Sequence, residues 1–389
     1  MHLLAAKPGA IADGSEAVDL GQNPGDIVVL SAADSELACL SAARGQLPAA
    51  EFPSLRLASL LHLGHNMSVD LYVEDVISRA RLVVARILGG RGYWPYGVEQ
   101  VAAVCKEKGI ALALLPGDDQ PDAELAGFST LPGKALHRLW QYCVHGGADN
   151  ALEFLRYAAS LIGHGAEWRE PRPVLRAGFY RRGRPAGSLD DLRADWKKGA
   201  PTVALVFYRA LFQAGNLKGV DALVGGLSER GMNPLPVFVS SLKDPVAAET
   251  LAGAFSEAKP DVILIATGFS LSAPGRERVA SPFDDARCPL LQVVFSGGNE
   301  ESWRNGTHGL AARDIAMNVA LPEVDGRIMS RAVSFKGRQK RDPLTETDIV
   351  AYEPVADRVD FVCALAANWA WLGRAPRPAR RIALVLANY

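Results

Sequence analysis

The stretch that decides the fold is TVALVFYRALFQAGNLKGVDALVGGLSERGMNPLPVFVSSLKDP, residues 202–245. It opens with a β-rich apolar run at 202–208. A helical stripe of Leu217, Val220, Leu223, Val224 and Leu227 follows over 217–230, with Asn216 as its cap and Gly231 as its stop. A second strand at 235–239 comes next. Asp244 and Pro245 then supply the N-cap and first residue of a helix running to about Ala258, and 261–267 reads as a third strand. Strand, helix and strand in alternation imply a parallel sheet with crossovers. Two more apolar runs, 290–295 and 314–320, read as further strands of this sheet. A helix from Pro354 buries Val355, Val359, Val362, Leu365, Ala366 and Trp369, and 381–386 reads as the first strand of a following domain in a longer protein.

Upstream, short β-rich runs at 2–5, 27–30, 82–88 and 110–115 alternate with helices at 68–80, capped by Ser68, and 97–108, ended by Gly109. The pattern turns helical over 132–164, and 165–201, which contains RRGRP at 181–185, reads as an extended link over the surface. The expected fold is therefore α/β, with two doubly wound parallel-sheet domains of flavodoxin or Rossmann type joined by a helical connector. The expected divisions are a head domain at 1–128, connector and link at 129–200, a second α/β domain at 201–350, and a helix with the start of a further domain at 351–389.

Composition excludes several function classes. The chain has 389 residues, and its 42 basic and 43 acidic side chains lack the electrostatic footprint of a nucleic-acid binder. Hydrophobic residues at 49% place it among compact globular chains, and 37 glycines with 24 prolines break it into short elements, favouring α/β over a helical bundle. Cys39, Cys105, Cys143, Cys288 and Cys363 form no Cys-x-x-Cys pair, which reads as reduced thiols in a cytoplasmic protein. The longest uncharged apolar stretch, 361–373, is 13 residues, too short for a bilayer. The start, MHLLAAK, lacks the basic region of an export signal.

No phosphate fingerprint emerges. ILGGRGYWPYGVEQ, residues 87–100, lies between a strand and a helix, but the bulk of Tyr93, Trp94 and Pro95 after the glycines would hold a pyrophosphate away from the helix end. A carboxylate beside Arg91, flanked by aromatic faces, suits that turn better, as does a structural plug. The loops after the second set of strands contain RALFQAGN (209–216), SSLK (240–243), TGFS (267–270) and SGGN (296–299). Ligands lodge at the carboxyl ends of such strands, and these hydroxyl, amide and cationic groups form a rim suited to a large ligand with several carboxylates or amides. They also suit ordinary turns and caps. His62 and His65 in HLGH have no third metal ligand in view, and there is no Gly-x-Ser-x-Gly nucleophile elbow.

Five strings carry a resemblance: LGGRGYWPYGVEQ (88–100), VALVFYRALFQAGN (203–216), LPVFVSSLKD (235–244), LLQVVFSG (290–297) and DIAMNVALPEVDGRI (314–328). They resemble the CobN-type large subunit of aerobic cobaltochelatase, and ALPEVDGRI also looks like the related magnesium chelatase large subunit. The resemblance implies ATP-dependent insertion of Co²⁺ into hydrogenobyrinic acid a,c-diamide during cobalamin synthesis. It implies two AAA+ partner subunits that carry ATP and Mg²⁺, with no cofactor bound to this part of the subunit. The chain would be the N-terminal part of a longer protein, inactive alone. For substrate binding it offers Arg91, Arg209, Lys243 and Ser296 for the rim, and Tyr93, Trp94 and Tyr208 for the ring faces; catalytic residues remain unassigned. Glu323 and Asp325 stand either as a base or metal ligand or as capping carboxylates of a turn. A non-catalytic docking or gating module that recruits the ATPase subunits, or the corresponding part of a magnesium chelatase, is the alternative.

Overall fold

The computed structural model describes residues 17–182, 187–273 and 275–386. The chain first builds a four-stranded sheet from β1 (Ile27–Ser31), β2 (Leu55–Ser59), β3 (Leu82–Ile87) and β4 (Ala111–Pro116), ordered β2-β1-β3-β4 and parallel throughout. Both faces are covered, so these strands are near-continuous apolar runs without alternation. On one face, Val29, Leu57, Val84 and Leu115 meet α1 (Asp34–Arg44) and, later in the chain, α5 (Gly133–His145) and α6 (Ala148–Leu161). On the other, Val28, Leu30, Val83 and Ala85 meet α2 (Asn66–Asp75) and α3 (Pro95–Lys108); the short α4 (Ala123–Phe128) adds Leu125. The two helices expected as a connector are thus a layer of the first sheet's core.

Local signals explain the boundaries. Pro95 opens α3, and Gly109 closes it with a φ of 68°, left-handed backbone that a Cβ disfavours. Ser68 does not cap α2. That role belongs to His65, whose ring nitrogen accepts the Met67 N–H, while buried Ser68 accepts the N–H of Val18. The strand expected at 2–5 lies outside the described residues. The expected surface link contains the edge strand β5 (Ala177–Phe179) and α7 (Leu189–Arg193), the latter held by a Ser188–Asp191 capping box; of RRGRP, only Arg181 and Arg182 are described.

The second sheet follows. Its strands are β6 (Thr202–Tyr208), β7 (Asn233–Val239), β8 (Val262–Ile265), β9 (Leu290–Ser296), β10 (Ile328–Asp342) and β11 (Thr347–Pro354), ordered β11-β10-β9-β8-β6-β7-β5. The central strands are parallel, whereas β5 runs against β7 and β11 against β10. The sheet is therefore mixed, which corrects the all-parallel expectation. Residues 209–213, expected as loop, form α8 (Arg209–Gln213), and α9 (Lys218–Glu229) and α10 (Pro245–Ala258) follow their strands as crossovers.

After α11 (Glu300–Asn305), the run 314–320 is helical where a strand was expected. It continues α12 (Ala312–Ile315) through a π-turn into α13 (Leu321–Val324). A short, mostly apolar run fits either state, and here Ile315 and Ala316 stand exposed instead of filling a sheet. Finally α14 (Ala356–Arg374) packs Val359, Val362 and Ala366 against Leu223, Leu227 and Val203. Residues 381–386 are irregular and exposed, not a strand. Among the described residues no helix is long and apolar enough to cross a membrane.

The β10–β11 hairpin reaches back to the first sheet. The Leu57 N–H donates to the Thr345 carbonyl, Gln22 donates to the Glu346 carbonyl, Ser41 donates to Asp342, and Arg56 pairs with Glu346 at 3.1 Å.

Candidate functional site

The carboxyl ends of β6, β7 and β8 open onto a cavity of about 490 Å³, lined by Tyr208, residues 240–243, residues 268–273 and Leu321. This is the edge at which parallel α/β sheets hold ligands. Tyr208 Oη donates to the Gly268 carbonyl at 3.1 Å, and burial raises its pKa, so the phenol stays protonated, its O–H committed to that carbonyl, and presents a ring face. Ser240 Oγ donates to Asp244 Oδ2 at 2.7 Å. That bond, with Arg176 at 3.1 Å, holds the carboxyl below its ordinary value. Lys243 is exposed at the mouth and forms no ion pair among the described residues.

The third loop of this rim is fixed from beneath. The fully buried Arg327 guanidinium donates to the carbonyls of Thr267 at 2.9 Å and Phe269 at 3.0 Å, to Gln292 Oε1 at 2.9 Å and to Asp325 Oδ2 at 3.0 Å. Asp325 in turn accepts the N–H groups of Leu271 and Ser272 at 2.8 and 3.1 Å. Phe269 sits at φ 60°, held by its N–H bond to the Met317 carbonyl at 2.7 Å. Sequence reasoning missed Arg327 and Gln292 as supports. The string ALPEVDGRI contained the signal, since it places an acid, Asp325, two residues before an arginine, Arg327.

The structure brings Tyr208 and Lys243 together and places the other candidates elsewhere. Ser296 is buried behind the rim, its Oγ donating to Asp314 Oδ2 at 2.6 Å. Arg209, on α8, lines a different cleft that faces the first sheet. Arg91 lies after β3 between Glu99 at 2.6 Å and Glu124 at 3.0 Å, with Tyr93 exposed beside it. Trp94 is buried, and its ring N–H donates to the Leu63 carbonyl at 2.8 Å. Asn216 does not cap α9; its Oδ1 accepts the Tyr352 N–H at 3.1 Å and ties that helix to β11. Burial pushes the thiols of Cys39, Cys105 and Cys288 up to about 12, which leaves them protonated and poor nucleophiles.

The family described as CobN/Magnesium Chelatase matches residues 140–389, which include the whole rim. The chain belongs to this CobN/magnesium chelatase family. Within it, the chain is 49% identical over 398 residues to the aerobic cobaltochelatase subunit CobN of a Sinorhizobium species and 41% identical over 390 residues to that of Pseudomonas aeruginosa. Each alignment covers 100% of this chain and 31% of the relative, so the chain spans about a third of the length of the curated relatives it matches. The magnesium chelatase branch is more distant: a magnesium-chelatase protein of Rhodobacter capsulatus is 25% identical over 67% of this chain and 24% of its own length. A solved catalytic subunit of cobaltochelatase from Mycobacterium tuberculosis superposes with a TM-score of 0.68 at 26% identity, covering 89% of this chain and 27% of that one.

Proposed function

We propose that this chain is the N-terminal part of the tetrapyrrole-binding large subunit of an ATP-dependent cobaltochelatase, which inserts Co²⁺ into hydrogenobyrinic acid a,c-diamide in cobalamin synthesis. The observation that carries this reading is the alignment of the entire chain, at 49% identity, with a cobaltochelatase CobN subunit. In this reading the two sheets are two doubly wound domains, the first completed by α5 and α6. Cobalt is cargo, and ATP and Mg²⁺ belong to two AAA+ partner subunits; this part alone has no insertion activity.

Metal insertion needs the macrocycle's rim held, its ring bent and its pyrrolic protons removed. The rim of the second sheet suits the first of these tasks. Lys243 supplies a cation for a peripheral carboxylate, Ser241 supplies a hydroxyl for a carboxylate or amide, and Tyr208 supplies a ring face. Arg327 and Asp325 keep the 267–272 loop in place without touching the ligand. Arg91 and Tyr93 form a second patch after β3.

The test is a titration with hydrogenobyrinic acid a,c-diamide, followed by tryptophan fluorescence and pigment absorbance. Saturable binding that weakens about tenfold in Lys243→Ala supports the reading. An absence of binding at high micromolar pigment moves substrate recognition out of this chain and favours a docking or gating module.

A further inference from the structure

A second cavity, of about 350 Å³, lies between the carboxyl edge of the first sheet and α8. It occupies that sheet's switch point. From β1 the chain leaves through α1 over one face, and from β3 it leaves through α3 over the other, so a crevice opens between the two strand ends. Arg86 from β3 and Glu36 from α1 line one wall, joined at 2.5 Å, and Arg86 also donates to the Gly117 carbonyl at 3.0 Å. This buried pair is neutral and satisfied.

The opposite wall differs. Arg209 donates through Nη2 to the Val174 carbonyl at 2.8 Å, but its Nε is buried with no hydrogen-bond partner, and no acid pairs with it among the described residues. Burial, with the nearby Arg176 cation, lowers its pKa. A half-buried guanidinium that lines the cleft and forms no ion pair, with Asp119 and Asp244 acting on it only from a distance, favours an anion in that cleft. The frame is rigid: the Gln213 amide donates to the carbonyls of Val144 and His145 at 3.0 and 2.9 Å, locking α8 against the α5–α6 turn. Phe154 and Leu40 make the interior apolar, while Asp118 and Asp119 stand exposed at the mouth.

We propose that this cleft binds an alkyl carboxylate, its charge on Arg209 and its carbon chain against Phe154 and Leu40. The carboxylate is either a free small acid or an acidic arm of a larger molecule. The site is separate from the Tyr208–Lys243 rim and stands whether or not that rim binds a tetrapyrrole.

Thermal unfolding and equilibrium dialysis with propionate test it at constant ionic strength, with propionamide as the neutral isostere and uroporphyrin as a carboxylate-armed macrocycle. Propionate should raise the unfolding temperature saturably, by about 1–2 °C at ten times its half-saturating concentration, and propionamide should not. Arg209→Met should weaken propionate at least about tenfold, and Arg209→Lys should retain part of the binding. If Arg209→Met does not fold, Ser35→Phe decides, because it fills the mouth and leaves the Arg209–Val174 bond intact. Uroporphyrin displaced by propionate identifies an acidic arm as the natural occupant; propionate binding without uroporphyrin identifies a free acid. Equal effects of propionate and propionamide, no binding of either probe, or propionate binding unchanged in Ser35→Phe overturns the proposal.

Discussion

Lys336 Nζ lies 2.7 Å from Asp34 Oδ2, with the two side chains only 5% and 6% exposed, and this pair pins β10 of the second sheet to α1 of the first. Burial raises the Asp34 carboxyl above its ordinary value, with the Lys336 charge opposing. Such a pair adds little over a well-packed apolar one, but removing one partner strands the other. Lys336→Met should therefore cost about 3 kcal/mol in urea unfolding at pH 7. With its cation gone, Asp34 binds a proton more readily folded than unfolded, so the deficit should shrink as pH falls. Adding Asp34→Asn should recover part of the loss at pH 7, and a double variant as unstable as the single one would contradict this account.

The same hairpin has a contact of opposite pH sign. Glu346 accepts from the backbone and side chain of Asn23 at 2.7 and 3.0 Å and pairs with Arg56. Burial pushes its carboxyl up, but these bonds and charges outweigh it and leave the pKa below the ordinary 4.5. The unfolded chain therefore binds the proton more tightly. The contribution is present above pH 4.5 and lost as pH falls through the lower folded value. Melting temperatures of the parent chain and Glu346→Gln should differ at pH 7 and converge at acid pH; a constant gap would assign the difference to packing.

Arg327 tests whether the rim loop depends on its buried support. Arg327→Met strands the Phe269 carbonyl and leaves the buried Asp325 carboxylate without its cation, while the Thr267 carbonyl keeps the Gln292 amide as donor at 3.1 Å. The expected cost is about 3–5 kcal/mol. Arg327→Lys should rescue little, because an ammonium cannot span four acceptors held by a planar fork. Hydrogen exchange at Leu271 and Ser272, whose N–H groups bond Asp325, should accelerate in both variants.

Asn216→Ala leaves the Tyr352 N–H buried without its acceptor, at a cost of about 1–3 kcal/mol in unfolding. Asn216→Asp keeps an acceptor oxygen and should lose less. A cap role would instead make serine the better replacement, so Asn216→Ser matching the parent would contradict the tie to β11.

Periodicity and turn chemistry made β6, α9 and the Asp244–Pro245 helix start legible, because there local preference and burial agree. The hairpin was not legible. In IMSRAVSFKGRQKRD the charges of Lys336 and Asp342 look like solvated positions, yet each finds its partner 302 or 301 residues earlier, in Asp34 and Ser41. β2, LRLAS, was hidden for a similar reason, as Arg56 is buried by its pair with Glu346 and its bonds to the Asn23 and Leu55 carbonyls. Half the candidate site was readable, since Tyr208 ends β6 and Lys243 lies in the loop after β7, at the strand ends where such sheets hold ligands. Its supports were not, because Arg327 and Gln292 act through buried carbonyls that only the folded backbone brings together.

Trp94 shows how a motif can be conspicuous for packing. Its ring is 6% exposed and fills the space above Gly97, where a Cβ would lie 1.8 Å from the ring. Alanine ordinarily outperforms glycine in a helix by about 1 kcal/mol, but here Gly97→Ala must expel the indole and break its bond to the Leu63 carbonyl. The net expectation is a loss of about 2–4 kcal/mol with red-shifted emission. If the chain binds the proposed tetrapyrrole, Trp94→Phe should leave the resulting quenching of the remaining tryptophans unchanged, because a ring facing the core cannot stack on a ligand. Loss of that quenching would return Trp94 to the binding surface.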